Sequence, residues 1–492
     1  MHSIRNRPLA SGALFIFLAL CLAACSVPLA PGYEVRKENL SVQFVVASSP
    51  HLAIRFEYLL RNVGNGPLHA IRVALPGEKT YAQRNLRIEF DGREITPQPP
   101  RAGESGGETN SAATIWRIPF DPPWPQKQSR TLVIEYELAP APPGGSAIAV
   151  NENSFHLRPR DWFPVLQTPQ RLFSHDVERP DPVPVSVRVP EGFLVYSGGE
   201  FRGTQKQGGE LEYRYRLHKL DPDPFVVAGR YHEQQIKTAG GTVIFWTFAP
   251  LQSSVAQSAG AQLAATCNAF VAAFGPLERY SDSIFIAETE AEIPSPIGRK
   301  FAGRPFPGGT LLNHEAFAIS AASEDFLELA EGQIAQSWLG ERVELRPDAQ
   351  LVMGTGFSRY ARFVAAEARG GAAARREAVA KAIGNYDEAR AQAAEKSLLE
   401  TSRDDPVEQR RIAVAKGELF FIAIEDECGE VSARRGIAHL VHALSRSEAS
   451  FGDLRAALEL ESGKNLVAFF SEWLGQKGIP DGFRNRYPKG TE

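Results

Sequence analysis

Cysteine is scarce in this chain, and long blocks of one charge are absent. Four cysteines occur in 492 residues, and only Cys267 and Cys428 follow the first 25 positions. In an oxidising compartment these two could pair, but their spacing carries no geometric evidence, so a disulfide stays an open question. The formal net charge is −4 and lysine and arginine form no long run, which gives no indication of nucleic-acid binding.

Several common catalytic signatures are also missing. A serine nucleophile elbow set between a strand and a helix is not evident, and neither is a Cys-His arrangement. Gly-rich phosphate loops are absent as well, because Ser197-Gly198-Gly199 and Gly208-Gly209 are better explained as hairpin turns.

The apolar run near the N-terminus is too short to cross a bilayer. Arg5 and Arg7 precede it, and it extends from Ala13 to Leu20. The following Leu22-Ala23-Ala24-Cys25 resembles the lipobox of bacterial lipoproteins. An ordinary secretory signal cleaved nearby is the alternative.

The lipobox resemblance implies a location. It makes residues 1–24 a signal peptide and Cys25 the acylated first residue of the mature protein, anchored by its acyl chains. Ser26 in place of aspartate favours the outer membrane in Gram-negative cells. No later stretch reaches the length of a membrane helix, so we expect the rest of the chain in the cell envelope, facing the periplasm.

Residues 25–235 have the pattern of a β domain. Polar and apolar residues alternate in several segments, such as Ile54–Tyr58 and Leu211–Tyr215. Turn signals separate them, for example Asn62–Pro67. The pattern predicts an antiparallel β-sandwich or saddle domain.

Residues 236–492 change to helical patterning. An Ala-rich amphipathic helix is predicted over Val255–Phe274, and strands over Ser283–Ala287 and Thr310–Asn313. Later helices are predicted near Ala372–Ile383 and Tyr386–Glu400, with another opening at Pro406. The predicted fold class is therefore multidomain α+β, in which the β domain is followed by a mainly helical α/β domain.

The stretch from Ser323 to Phe363 is the centre of this second half. Ser323 can cap a helix whose first turn carries Glu324 and Asp325, where the helix dipole favours negative charge. The next segment, Gly332–Gly340, and a later one, Thr355–Tyr360, together resemble the core of the aminopeptidase N-like zinc metallopeptidases of the gluzincin type. That family has H-E-x-x-H followed by a Trp and a Gly, and a third zinc ligand in an E-G-x-x-x-Y segment.

The resemblance keeps the family's spacing but not its chemistry. It places Gly332 and Gln336 at the histidine positions, Gln333 at the general base and Thr355 at the third ligand. Glycine and threonine offer no ligand for zinc at neutral pH, and amides are poor ones. The family's cofactor, zinc, is therefore predicted to be lost, and restoring His, His and Glu at these ligand positions is predicted to create zinc binding.

Two more family positions are changed. Gly303–Gly308 resembles the G-x-M-E-N segment, with Phe306 at the glutamate that binds a substrate's free amine. Val414-Ala415-Lys416-Gly417 resembles Y-x-K-G, with Val414 at the tyrosine that stabilises the oxyanion. The resemblance thus implies a thermolysin-like domain with a degenerate active site, from which we predict no catalytic residues.

Two functions remain open. The favoured one is a non-catalytic lipoprotein, a pseudoenzyme that keeps the peptidase fold as a binding or assembly surface for a peptide or envelope protein. Its cleft could accept an extended peptide by strand addition beside Thr310–Asn313. The alternative is a metallopeptidase or other hydrolase with a relocated metal site, using His439 and His442 on one helix face. Two ordinary helix histidines beside an apolar core are the better explanation of that pair, and His314-Glu315 is a pair common by chance.

Overall fold

The computed structural model describes residues 32–76, 82–98, 113–139, 149–157, 162–167, 180–218, 224–277, 283–291, 293, 295–318, 321, 323–444 and 447–487. Cys25 and the rest of the predicted signal peptide lie outside these residues. Within the described part of the chain, no helix is long and apolar enough to cross a membrane.

The N-terminal half is built of β-sheets around one core. An eight-stranded sheet has the order β13-β14-β11-β1-β2-β7-β4-β5, and smaller sheets have the orders β10-β3-β6 and β12-β15-β9-β8. The pair β1–β11 is parallel and the other neighbours are antiparallel. The strands are β1 (Tyr33–Val45), β2 (His51–Asn62), β3 (Leu68–Pro76), β4 (Ala82–Phe90), β5 (Arg93–Glu94), β6 (Ala113–Trp124), β7 (Ser129–Ala139), β8 (Ala149–Val150), β9 (Ser154–Leu157), β10 (Val165–Gln167), β11 (Val183–Pro190), β12 (Leu194–Ser197), β13 (Glu200–Gln207), β14 (Glu210–Leu217) and β15 (Val226–Gly229).

The alternating sequence pattern explains this core. Along β2, every second side chain from Leu52 to Asn62 is buried, while the residues between them are partly or fully exposed. The buried set includes Phe56, whose ring contacts Trp162 at a centroid distance of 5.6 Å. One face of the sheet therefore packs inward, as alternation predicts.

A five-stranded mixed sheet opens the second half. Its order is β16-β17-β18-β20-β19, in which β17, β18 and β20 are parallel and the outer strands β16 and β19 are antiparallel. The strands are β16 (His232–Thr238), β17 (Gly241–Thr247), β18 (Ser283–Thr289), β19 (Gly303–Phe306) and β20 (Gly309–Asn313). A domain boundary at residue 235 falls inside β16.

The helices follow and surround this sheet. They are α1 (Ser253–Phe274), α2 (His314–Ala318), α3 (Glu324–Ala335), a π-helical segment (Gln350–Gly356), α4 (Phe357–Gln392), α5 (Val407–Cys428), α6 (Glu430–Ala443), α7 (Phe451–Ser462), α8 (Val467–Gly475) and α9 (Asp481–Arg486). Short strands β21 (Glu344–Leu345) and β22 (Glu448–Ala449) pair with each other. This arrangement confirms the predicted fold class.

Two helix predictions in this half are wrong. Helix α4 continues through Gly384-Asn385, where a break was expected, and it ends at Gln392 rather than near Glu400. The start of a helix near Ala372 is better predicted, because α4 is interrupted at Gly371, whose φ of 62° and ψ of −154° are not helical. A glycine within a helix costs about 1 kcal/mol, which packing can offset.

Helix α3 begins as its sequence indicates. The side chain of Ser323 accepts a hydrogen bond from the Phe326 backbone N–H at 3.2 Å, so it caps the first turn. Phe326, Ala330 and Ile334 are buried in the core of the second half. The helix ends at Ala335, and Gln336 occupies the C-cap position.

Candidate functional site

Gly332 is buried on α3 and faces α4. A Cβ atom at this position would lie 3.7 Å from Cδ of Arg362 and 3.9 Å from Oγ of Ser358. The place where the resemblance expects a histidine is therefore bordered by an arginine and a serine of the neighbouring helix.

Thr355 lies in the π-helical segment that leads into α4. The Ser358 hydroxyl donates a hydrogen bond to the Thr355 carbonyl oxygen at 2.8 Å. Ser358 also borders Gly332, so it lies between α3 and the segment that holds Thr355.

Gln333 and Gln336 occupy the end of α3. A Cβ atom at Gly303 of β19 would lie 2.7 Å from Cγ of Gln333, so the absence of a side chain at Gly303 lets α3 approach this strand. The backbone N–H of Gln336 donates to the Gln333 carbonyl at 3.1 Å, and both side chains are partly exposed. Both are amides, which neither accept a proton from water nor bind zinc well.

Val414 is fully buried on α5. It forms a small apolar cluster with Ile297 and Leu351. The backbone carbonyl of Ile297 accepts a hydrogen bond from Arg411 Nε at 2.9 Å, which joins this loop residue to α5. The predicted oxyanion-donor position is therefore occupied by apolar packing.

Phe306 does not line the cleft. Its side chain is buried among aromatic rings contributed by the N-terminal half, at centroid distances of 5.6 Å from Tyr196 and 5.5 Å from Phe225. Alternation along β19 explains this, since Gly303 faces α3 and residues three apart on a strand point to opposite faces. Phe306 thus helps to join the two halves.

The prediction of strand addition beside Thr310–Asn313 is wrong. These residues belong to β20, which pairs with β18 on one side and β19 on the other. The outermost described strand is β19. Sequence reasoning could identify the strand but not its neighbours, because strand order depends on long-range pairing.

The pairing register identifies which backbone groups of β19 point away from β20. The Asn313 backbone N–H donates to the Ala302 carbonyl at 3.1 Å. In an antiparallel ladder, alternate residues point away from the partner, so the N–H and C=O of Gly303 and the C=O of Pro305 face outward. Proline has no N–H, so this edge offers more acceptors than donors.

Sequence reasoning missed two arginines beside the cleft. Arg362 is ion-paired with Glu328, which also lies 3.5 Å from Arg299. Although burial acts in the opposite direction, these guanidinium groups hold the pKa of Glu328 below its usual range. Helical spacing could have indicated that a charged residue lies near Gly332, because Glu328 precedes Gly332 by one turn of α3.

The second arginine, Arg359, pairs with Glu418 of α5. The separation of Arg359 Nη1 and Glu418 Oε2 is 3.8 Å, and both side chains are largely buried. Burial raises the pKa of Glu418 and lowers that of Arg359. Arg359 and Arg362 are thus each paired with a glutamate, so this region carries charges of both signs.

The predicted replacement metal site is not assembled. Nδ1 of His439 lies 3.6 Å from Oε1 of Glu461. Among the described residues, no group of three or more His, Cys, Asp or Glu side chains is arranged to hold a metal ion. His439 and His442 therefore lack the ligand set that the alternative function requires.

The structure also shows the surroundings of the two cysteines and of His314. Cys267 and Cys428 are free thiols, and burial raises the pKa of each. His314 pairs with Glu288 rather than Glu315, with 2.5 Å between Nδ1 and Oε1. The hydrogen bond to Glu288 raises the pKa of His314.

Comparison with known proteins supports a fold and not a close relationship. No family model matches the chain, and no curated protein matches it. The structure is similar to the M1 zinc metallopeptidase of Deinococcus radiodurans, with 16% identity, a TM-score of 0.64, and coverage of 91% of this chain and 95% of that one. A mutant of that enzyme bound to a Tyr-Ser-Ala substrate gives 15% identity, a TM-score of 0.62, and coverage of 91% and 95%.

The chain has the two-domain fold of the M1 zinc metallopeptidases. The residues present at the expected M1 metal site do not fit zinc. Tetrahedral zinc sites need imidazole, thiolate or carboxylate ligands, whereas the residues that the sequence resemblance assigns to the ligand positions are Gly332, Gln336 and Thr355, and the Arg362 side chain borders Gly332.

Proposed function

We propose that this protein is a non-catalytic, lipid-anchored component of the bacterial cell envelope that uses the M1 fold to bind an extended segment of a peptide or protein. One observation carries the proposal. Gly332, at a predicted ligand position, offers no ligand atom and is bordered by the side chain of Arg362, which is ion-paired with Glu328.

The remaining predicted positions support loss of catalysis. Gln333 at the general-base position is an amide and cannot take a proton from water. Val414 is buried against Ile297 and Leu351 and carries no hydroxyl. Phe306 packs between the two halves of the molecule and offers no charge to a substrate amine.

The proposed binding site for this segment is the edge of β19. Gly303 presents an outward N–H and C=O, and Pro305 adds an outward carbonyl oxygen. An extended chain laid against this edge would gain backbone hydrogen bonds independent of its side chains. This mode suits recognition of an unfolded or terminal segment of another envelope protein.

The lipid anchor is the other part of the proposal. The Leu22–Cys25 lipobox would place acyl chains on Cys25 and hold the protein at a membrane surface, with the cleft in the periplasm. A membrane-attached binding protein could hold a partner near the outer membrane.

Site-specific photo-crosslinking tests the binding role. A photoreactive residue replaces Gln333, next to Gly303, and a matched one replaces the exposed Arg376 on α4. Cells carrying the anchored protein are irradiated, and adducts are identified by mass spectrometry. We expect one recurrent peptide segment at position 333 and not at 376. Absence of adducts at 333, or the same adducts at both positions, would contradict the proposal.

A further inference from the structure

A pocket of about 160 Å³ opens between α3, α4 and α5. Both arms of α4, before and after Gly371, contribute to its wall, and Leu327, Phe363 and Ala378 supply apolar surface. Sites for drug-sized ligands measure about 300–1,000 Å³, so this smaller pocket suits one side chain or a fragment of similar size. Its described lining comes from helices and not from β19, where the proposed function places a peptide.

The charged side chains of the lining are balanced and arranged in pairs. The described lining contains four acidic and four basic residues, so neither sign of charge is in excess. Three pairs are in direct contact, namely Lys381 with Glu324 at 3.2 Å, Arg369 with Glu331 at 2.9 Å, and Arg362 with Glu328. These three pairs need no ligand to neutralise them.

The fourth pair, Arg359 and Glu418, is open. Nη1 of Arg359 and Oε2 of Glu418 are 3.8 Å apart, which is beyond hydrogen-bond distance. Within the part of the chain that the structure describes, Oε2 of Glu418 has no hydrogen-bond partner, although the residue is only 9% exposed. A buried carboxylate oxygen without a donor is costly, so this end of the pocket calls for a hydrogen-bond donor.

The donor must also be compatible with Arg359. An ammonium group would donate to Glu418 but lie close to the guanidinium, and a carboxylate would pair with Arg359 but lie close to Glu418. A neutral group with a donor and an acceptor side by side avoids both conflicts. In a primary carboxamide, bonds of about 1.23 and 1.33 Å hold the oxygen and nitrogen about 2.3 Å apart. With hydrogen bonds of about 2.9 Å at each end, such a group spans the 3.8 Å gap.

We propose that this pocket binds a primary carboxamide, whose N–H donates to Glu418 and whose carbonyl oxygen accepts from Arg359. The methylene groups attached to the carboxamide then pack against the apolar surface of Leu327 and Phe363. A water molecule in the same gap would gain nothing from that surface. Two sources carry this group, a glutamine or asparagine side chain of a peptide and a small free amide.

Calorimetric titration of the full chain with blocked amino acids tests this preference. The probes are the N-acetyl, N-methylamide derivatives of glutamine, glutamate, lysine and methionine, which differ in side-chain charge and hydrogen-bonding capacity. We expect the glutamine derivative to bind about tenfold or more tightly than each of the others. Propanamide reproduces the glutamine side chain alone. Equal binding of propanamide identifies a free amide as sufficient, and weaker binding identifies a peptide-borne side chain.

Paired variants locate the binding to Arg359 and Glu418. The double variant Arg359→Met, Glu418→Met replaces both groups by apolar side chains, so neither charge is left buried alone. It should weaken binding of the glutamine derivative by about tenfold or more, because two charge-assisted hydrogen bonds are lost. The matched control, Arg376→Met with Glu377→Met, removes the same two charges from the exposed surface of α4 and should leave binding unchanged.

Several results would overturn the inference. Equal or tighter binding of the glutamate derivative would assign the pocket to an anion at Arg359, and the same result for the lysine derivative would assign it to a cation at Glu418. Equal binding of the methionine derivative would show that apolar contact alone suffices, and no binding of any probe would leave water in the gap. Unchanged affinity in the double variant would place the glutamine derivative elsewhere. The probe series uses the unmodified chain, so it decides even if the double variant does not fold.

Discussion

Arg362 lies against Gly332, where a Cβ atom would come within 3.7 Å of the arginine's Cδ. Its guanidinium is ion-paired with Glu328, one helical turn before Gly332. This places an arginine side chain, with its guanidinium paired to Glu328, beside a predicted zinc-ligand position. If zinc has been lost from this fold, the change would therefore include a neighbouring arginine as well as the ligand residues.

Removal of the Arg362 charge is predicted to strengthen a rebuilt zinc site. The triple variant Gly332→His, Gln336→His, Thr355→Glu restores the family's ligand types. Addition of Arg362→Gln should raise its zinc affinity by about tenfold or more, because like charges a few ångström apart repel. Affinity is measured by competition with a zinc chelator.

The control for this series adds Arg376→Gln to the triple variant, which removes a charge from the exposed surface of the same helix. It should leave affinity near that of the triple variant. Equal affinities with and without Arg362→Gln would mean that the guanidinium does not oppose a metal here.

A buried ionic junction is predicted to hold α4, α5 and α6 together. Glu425 accepts hydrogen bonds from the Tyr360 hydroxyl at 2.7 Å and from Arg434 Nε at 2.8 Å. It is also 2.8 Å from Arg375, and its side chain is 1% exposed. Glu425→Ala leaves two arginines without this partner, so we expect a loss of about 3–5 kcal/mol in the free energy of unfolding.

Urea denaturation followed by circular dichroism measures that loss. Glu377→Ala on the exposed surface of α4 is the matched control and should change the free energy by about 0.5 kcal/mol or less. Equal effects of the two substitutions would show that the junction is not a major source of stability.

His314 is predicted to make stability depend on pH. The hydrogen bond to Glu288 raises its pKa in the folded protein above the unfolded value of about 6.5. The contribution of His314 to folding stability is therefore fully present below about pH 6.5 and is lost as the pH rises through the folded-state pKa. The chemical shift of the His314 ring, followed by NMR from pH 5 to 9, should give a midpoint above the ordinary histidine value of about 6.5.

Substitution supplies a second test. His314→Gln should remove the corresponding part of the fall in melting temperature over that pH range. A His314 midpoint at or below about 6.5 would contradict the direction of the shift.

The membrane attachment is predicted to depend on Cys25. Cys25→Ala should move the protein from the membrane fraction to the soluble fraction, because no acyl chain can be added. Cys21→Ala, four residues earlier in the predicted signal peptide, is the control and should stay with the membrane. Sedimentation of Cys25→Ala with membranes in high salt would show that another feature anchors the protein.

The sequence predicts local features of the site well. The Ser323 cap forms, and Ser358 at the start of α4 contacts both the Thr355 carbonyl and the place of a Cβ atom at Gly332. Capping and helical period depend on residues close in sequence, which is why they can be inferred from it.

Features set by tertiary contacts were not predicted. Arg362 faces Gly332 across two helices, and β20 is enclosed by β18 and β19 instead of lying at an edge. Thr355 lies in a π-helical segment that packs closely on α5, where a Cβ at Gly356 would be 3.1 Å from Gly417. Such contacts depend on distant residues that no local pattern specifies.

Metal analysis of the unmodified protein tests the central claim most directly. Protein purified without chelators is analysed by inductively coupled plasma mass spectrometry, after dialysis against buffer containing zinc and then against metal-free buffer. We expect far less than one zinc per chain, and no hydrolysis of aminoacyl reporter substrates above a buffer blank. One zinc per chain would contradict the account, and its loss on His439→Ala would assign the metal to a relocated site.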